Sequence, residues 1–307
     1  MLNGKLKCSR CKICNGAACK GTLPGLGGVF EGKNCLLNFE GWEKLRQKAK
    51  ENGQYEKLLQ TQFDSSCVRC APVTGAIENV GCKNEEDFYF PYFKTTVNAG
   101  FEICVGDGCP DEKLLFGIEA VKKIRNEGID NTVNSNGKND LSDKKAAFFF
   151  KPYPDEILKK RADLARPFAN YIGIDIDAYN IVTMRNKVHL EKKTAAQLKE
   201  FRKYTGLPFV LKGVFTAEDL ELVRQLEPDV AFVSNHGGRV ETNVGSSAEF
   251  LAEHAEEIKK HCCEIWVDGG IRTKLDVQTA LYYGAKQVAI ARPLIRAAFD
   301  EVPFELK

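Results

Sequence analysis

From about residue 66 the chain alternates between two kinds of segment. Short apolar or β-branched runs end abruptly, and amphipathic stretches follow them. The runs that predict strands are CVRCAPV (67–73), FEICVG (101–106), AAFFFKPY (146–153), NYIGIDID (170–177), PFVLKG (208–213), VAFVSN (230–235), EIWVDGG (264–270) and QVAIAR (287–292). Between them, DEKLLFGIEAVKKIRNEG (111–128), TAAQLKEFRKYTG (194–206), TAEDLELVRQLEP (216–228) and SSAEFLAEHAEEIKKH (246–261) have helical periodicity. Thr216 with Asp219, and Thr273 with Asp276, stand where a helix N-cap and its third residue would be. Eight strands alternating with helices in about 230 residues predict an α/β fold, a (β/α)8 barrel. A doubly wound open sheet is the alternative, weakened because no Gly-x-Gly-x-x-Gly follows the first strand.

The start of the chain does not share this rhythm. Residues 1–35 are rich in cysteine and glycine, and residues 39–60 predict an amphipathic helix broken near Asn52 and Gly53. The expected division is a Cys-rich segment plus helix over 1–62, and the barrel over 63–307. Composition adds little constraint. A hydrophobic fraction of 43% suffices for a large core, and 44 basic against 42 acidic residues gives no reason to expect nucleic acid as a partner. No apolar run reaches the roughly 18 residues of a membrane span, and the polar start MLNGKLKCSRCK does not read as a signal peptide. A cytoplasmic location is therefore expected, with the 12 cysteines as thiols or metal ligands instead of disulfides.

Candidate chemistry collects where the apolar runs stop. Those ends carry Lys151 and Tyr153, Asp175 and Asp177, Lys212, then Ser234, His236 and Arg239, then Asp268, Gly269, Gly270 and Arg272, and finally Arg292. In a barrel all of these face one concave site. The last two strand ends, DGGIR and ARP, suit a phosphate, because glycine lets backbone amides approach an anion and arginine adds charge-assisted bonds. His236 beside Arg239 suits proton abstraction from a small acid held by its carboxylate. Lys212 ends a buried strand, where a lysine needs a partner or a task.

LKGVFTAEDL, VSNHGGR, VDGGIRTKLDV and IARP resemble the flavin mononucleotide (FMN)-dependent α-hydroxy-acid oxidase and dehydrogenase family. The likeness is strongest over residues 208–295 and continues back through KPY, VGDG and CAPVTGA to about residue 66. It implies oxidation of a small L-2-hydroxy acid, lactate- or glycolate-like, to the 2-oxo acid, with electrons passing to flavin N5. His236 would be the base, Arg239 the carboxylate clamp, and Asp177 the partner of protonated His236. Lys212 would stabilise the reduced ring, and Tyr153 would serve as a catalytic and substrate-binding tyrosine. Ala71, Pro72 and Val73 would pack on the ring, with Lys151 where a glutamine is common. Ser234 and His236 would contact the flavin, while Asp268, Gly270, Arg272 and Arg292 would hold its ribityl phosphate. Asp107, Asp175, Gly237, Gly269 and Ala291 would complete the cofactor shell. The family also implies a homo-oligomer, often a tetramer, and an electron acceptor that is oxygen, a quinone or a protein.

Cys8, Cys11, Cys14 and Cys19 have the spacing C-x2-C-x2-C-x4-C. Four such thiolates could hold zinc or an iron–sulfur cluster, or remain reduced thiols in a segment folded over the barrel mouth. Two rival functions stay open at this point. One is another FMN- or phosphate-binding barrel of the type 2 isopentenyl diphosphate isomerase or inosinate dehydrogenase kind. The other is a non-catalytic flavin or metal redox partner.

Overall fold

A computed structural model describes residues 33–132, 141, 143–181, 187–240 and 242–306. Eight parallel strands are hydrogen-bonded in the order β1-β8-β7-β6-β5-β4-β3-β2. They are β1 (Val68–Cys70), β2 (Ile103–Gly106), β3 (Ala146–Phe150), β4 (Ala169–Asp175), β5 (Phe209–Val214), β6 (Val230–Val233), β7 (Glu264–Asp268) and β8 (Gln287–Ile290). The ring closes between the first two strands, where the Cys70 amide donates to the Glu102 carbonyl (2.9 Å) and the Glu102 amide to Val68 (3.0 Å). The expected barrel is therefore the fold. Every predicted run overlaps its strand, with β4 and β5 each reaching one residue beyond it, at Ala169 and Val214.

The strands read as apolar runs because both faces are covered. Every residue of β2, β3, β5 and β6 is buried. Inside the ring Phe149 meets Phe232 edge-on at 5.8 Å, and Phe232 meets Trp266 at 5.9 Å. A Cβ on Gly173 would come within 2.9 Å of the Phe149 ring, so the glycine is what the aromatic layer requires. The interior is a packed core and not a pore.

The ten helices of the described residues are α1 (Lys33–Glu51), α2 (Tyr55–Leu59), α3 (Tyr89–Asn98), α4 (Glu112–Thr132), α5 (Asp155–Ala165), α6 (Ala195–Thr205), α7 (Ala217–Leu226), α8 (Ser247–Ile258), α9 (Lys274–Tyr282) and α10 (Arg292–Asp300). Thr194, Thr216 and Thr273 each close a full capping box at the start of α6, α7 and α9. None of the described helices is long and apolar enough to cross a membrane.

Helix α1 begins six residues before the predicted start, and this correction bears on the site. Its buried stripe is Asn34 and Cys35, Asn38, Trp42, Leu45 and Ala49, the three- and four-residue spacing of one helix face. The second half of that stripe is apolar and the first half is polar. The polar half, together with the Trp42 indole, lies on the loops after β6 and β7: the indole donates to the Gly269 carbonyl (2.8 Å), and the Cys35 thiol to the Gly237 carbonyl (2.9 Å). The approach is close enough that a Cβ on Gly270 would lie 1.9 Å from the Asn38 carbonyl oxygen. Gly270→Ala is expected to cost about 2–4 kcal/mol, from overpacking plus a left-handed backbone. Gly53→Ala shares the positive φ but meets nothing within 4 Å, so urea denaturation should show it losing about 1 kcal/mol. Equal losses for the two variants would refute the docking role of Gly270.

Candidate active site

The C-terminal ends of the strands open into one cleft of about 1080 Å³, counting its solvent-open mouth. Its walls show a division of labour. The apolar bed comes from Ala71, Pro72 and Val73 after β1 and from Ala289 and Ile290 of β8. One end carries Arg239, Arg272 and Arg292 with Gly269, Gly270 and Ala291. Lys151, Lys212, His236, Gly237 and Asp268 line the cleft as well.

His236 is placed by an unusual backbone. Its φ is 59°, followed by 65° at Gly237 and 85° at Gly238, three left-handed residues in a row. A histidine there is strained and persists only where its surroundings hold it. The Ser234 hydroxyl accepts from the His236 amide (3.0 Å), and the Asn235 side chain accepts from the Gly238 amide (3.0 Å). The second glycine has a further reason, since a Cβ on Gly238 would lie 2.6 Å from the Cys35 nitrogen of α1.

This turn brings His236 Nδ1 to 3.1 Å from Asp177 Oδ1. With Asp177 accepting from Nδ1–H, the imidazole keeps its lone pair on Nε2, the arrangement of an oriented base. Asp177 reaches this position because β5 bulges at Gly213. A Cβ there would come within 2.6 Å of the Asp177 carboxylate.

Beneath the histidine lies a buried chain of charges. Lys151 Nζ is 2.5 Å from Asp175 Oδ2, and Lys212 Nζ is 3.1 Å from Asp175 Oδ1 and 3.9 Å from Asp268 Oδ2. Burial alone would raise the Asp175 pKa, but Lys151, Lys212 and His236 hold it well below the usual carboxylate range. Burial works against the Lys212 charge, yet Asp175, Asp268 and Asp177 keep its pKa well above normal, so the lysine is a fixed cation. At the arginine end, burial and then Arg292 push Arg272 down to about 9, and the same two causes lower Arg239. Guanidiniums crowded in a buried cleft are stabilised by an anion, and a phosphate supplies one.

The structure brings most of the expected site residues to the cleft, but not all. Asp177 and Ser234 act on His236 without lining the cleft. Asp175 serves the two lysines. Asp107 is fully buried and supports Lys151 by accepting from its amide (2.8 Å), while its other oxygen pairs with Arg161 (3.1 Å). Tyr153 is not among the cleft-lining residues. Its hydroxyl donates to the Gly108 carbonyl (3.1 Å), and its ring lies under the Arg161 guanidinium at 4.2 Å. Cys8, Cys11, Cys14 and Cys19 lie outside the described residues; among the described residues no group of three or more His, Cys, Asp or Glu could hold a metal. Sequence reasoning missed Cys35 and Asn38 from α1, and Glu78 and Lys113 beyond the bed. Lys113 is buried and bonded to Glu78 at 3.0 Å. Neither pair lies at the end of an apolar run, so the pattern carries no signal for them.

Residues 128–301 match the family described as FMN-dependent dehydrogenase. Bovine 2-hydroxyacid oxidase 2 is 43% identical over 98 residues, which are 32% of this chain and 28% of that protein. The cytochrome-linked L-lactate dehydrogenase of Saccharomyces cerevisiae is 37% identical over 108 residues, 34% of this chain and 18% of that one. The chain thus spans under a third of the length of these curated relatives. Among solved structures, mandelate oxidase with (S)-2-phenylpropionate superposes with a TM-score of 0.54 at 22% identity, covering 79% of this chain and 72% of the other. A refolded lactate oxidase from Pediococcus acidilactici gives 0.52 at 19% identity, covering 84% and 83%. These two likenesses are of fold.

Proposed function

Because the chain belongs to the FMN-dependent dehydrogenase family, we propose that it binds FMN and oxidises a small L-2-hydroxy acid to the 2-oxo acid. The observation that carries this reading is the His236–Asp177 pair at 3.1 Å in the same cleft as Arg239 and the Arg272–Arg292 end. The cleft fits the cofactor chemically, with cations for a phosphate, an apolar bed for a flat ring, and two buried lysines.

FMN, when bound, supplies the acceptor for the two electrons that leave the acid. The chain's own residues do the rest. Arg239 holds the carboxylate through paired N–H donors, which fixes the acid's orientation. His236 Nε2 takes a proton from the bound acid, and Asp177 stabilises the imidazolium that results. Lys212 keeps a positive charge at the buried floor of the cleft, where negative charge is favoured. Arg272 and Arg292 would hold the phosphate. Neither the isomerase nor the nucleotide-dehydrogenase alternative needs a carboxylate clamp beside an oriented histidine.

The purified protein should be yellow and should bleach under anaerobic conditions with at least one acid from a panel of glycolate, L-lactate, glycerate, 2-hydroxyoctanoate and mandelate. Admitting air or a quinone afterwards would distinguish those acceptors from a protein. A flavin that stays oxidised with every acid would sink the substrate class.

A further inference from the structure

We propose that Asn38 on helix α1 is a positioning residue for the base, acting through Asn235. This rests on reading His236 as that base. His236 occupies a left-handed backbone region and so depends on what fixes the turn around it. Asn235 is the residue that fixes it. Its Oδ1 accepts from the Gly238 amide (3.0 Å), closing the turn over His236 and Gly237, and its Nδ2 donates to the Gly245 carbonyl (3.1 Å). The remaining capacity of the Asn235 carboxamide goes to Asn38. Asn38 Nδ2 donates to Asn235 Oδ1 at 2.6 Å, and Asn235 Nδ2 donates to Asn38 Oδ1 at 3.2 Å. Both side chains are buried, with 1% and 0% exposure, so water cannot replace either bond.

Asn38 also ties this turn to the next strand. Its Oδ1 accepts from the Ser247 amide (2.9 Å), and the Ser247 hydroxyl donates to the Asp268 carbonyl (2.5 Å) at the end of β7. One carboxamide therefore sets the His236 turn in register with the loop that begins at Asp268. Only a group with both donor and acceptor can do so: alanine supplies neither, and aspartate lacks the donor. When the tie is lost, the turn relaxes and His236 loosens from Asp177. The groups facing the imidazole are Asp175 and Asp177 from the end of β4 and Asp268 from β7, and Lys212 from β5 pairs with these carboxylates. Asp177, the one in hydrogen-bond contact, is the one whose grip weakens.

The test is NMR of the imidazole N–H protons in the full-length FMN-loaded protein, His236 being one of four histidines. The His236 Nδ1–H held by Asp177 gives a downfield resonance, and Asn38→Ala and Asn38→Asp should each move it upfield or broaden it away as that hydrogen bond loosens. Flavin reduction by the best acid should slow at least tenfold. Leu45→Ala loosens the same helix by packing alone and should leave the resonance where it is. If Asn38→Ala does not fold, Asn38→Asp, which keeps the acceptor and lacks the donor, carries the test. A resonance unmoved in the Asn38 variants, or moved equally in Leu45→Ala, overturns the proposal. A lost resonance in a protein whose flavin no 2-hydroxy acid reduces would leave the positioning intact and count against the function.

Discussion

Replacing His236 with asparagine should slow flavin reduction by the preferred acid about 10³–10⁴-fold while the protein stays folded and yellow. The magnitude is that of removing a positioned general base. Asparagine is the informative choice because residue 236 has φ near 59°, and asparagine is among the few residues that tolerate this region. Alanine would confound the loss of the base with a disturbed turn. Stopped-flow reduction under anaerobic conditions reads the loss. A rate within tenfold of wild type would mean that His236 is not the base.

Lys212→Met should produce the largest loss of stability, about 3–5 kcal/mol, because it removes one partner from a buried ionic cluster. Lys212 is 2% exposed and stands between Asp175 and Asp268. Without it Asp268 remains buried, already raised in pKa by burial and now without the lysine that opposes the rise. The sign with pH follows. A carboxylate whose folded pKa lies above its unfolded value binds more protons when folded, so its contribution to stability falls as pH rises. Asp175 behaves in the opposite way in the wild type: its depressed pKa gives stability above the usual carboxylate range that is lost as pH falls. The Asp268 effect makes the gap between wild type and variant wider at pH 8 than at pH 5, whereas the Asp175 contribution is already complete at pH 5 and changes only at more acid pH. Urea denaturation at the two pH values measures the gap, and equal gaps would show that charge pairing is not what Lys212 contributes. FMN content should fall in parallel if the lysine also faces the ring.

What could be read from the sequence follows from where its physical causes lie. The eight strands were legible because a parallel strand covered on both faces must be apolar nearly throughout, and polar residues after such a run lie at its open end. Thr216 with Asp219 and Thr273 with Asp276 were legible because a capping box is a local contact. Asn38 was not, since its partners Asn235 and Ser247 are about two hundred residues away and a polar residue in a helix turn reads as solvated. Helix α1 was placed too late for the same reason: Asn34, Cys35 and Asn38 interrupt the apolar period that marks the rest of its stripe. Tyr153 shows the converse limit. Its position after β3 is visible in the sequence, but the direction of its side chain depends on Arg161 from α5, which no local pattern reveals.

The docking of α1 also orders events in time. Its contacts with the β6 and β7 loops span 197 residues at Asn38 and 227 at Trp42. The helix leaves the ribosome among the first described residues, yet its partners in the β6 and β7 loops do not exist until residues 235–270 have been made. The closure entropy of so long a loop must be overcome before those contacts return anything. The strands can find one another through neighbours in the sequence, whereas the tie on the His236 turn waits for residues 197 positions apart to meet. The turn that aims His236 is thus expected to form late in folding, completed by the first of the described helices.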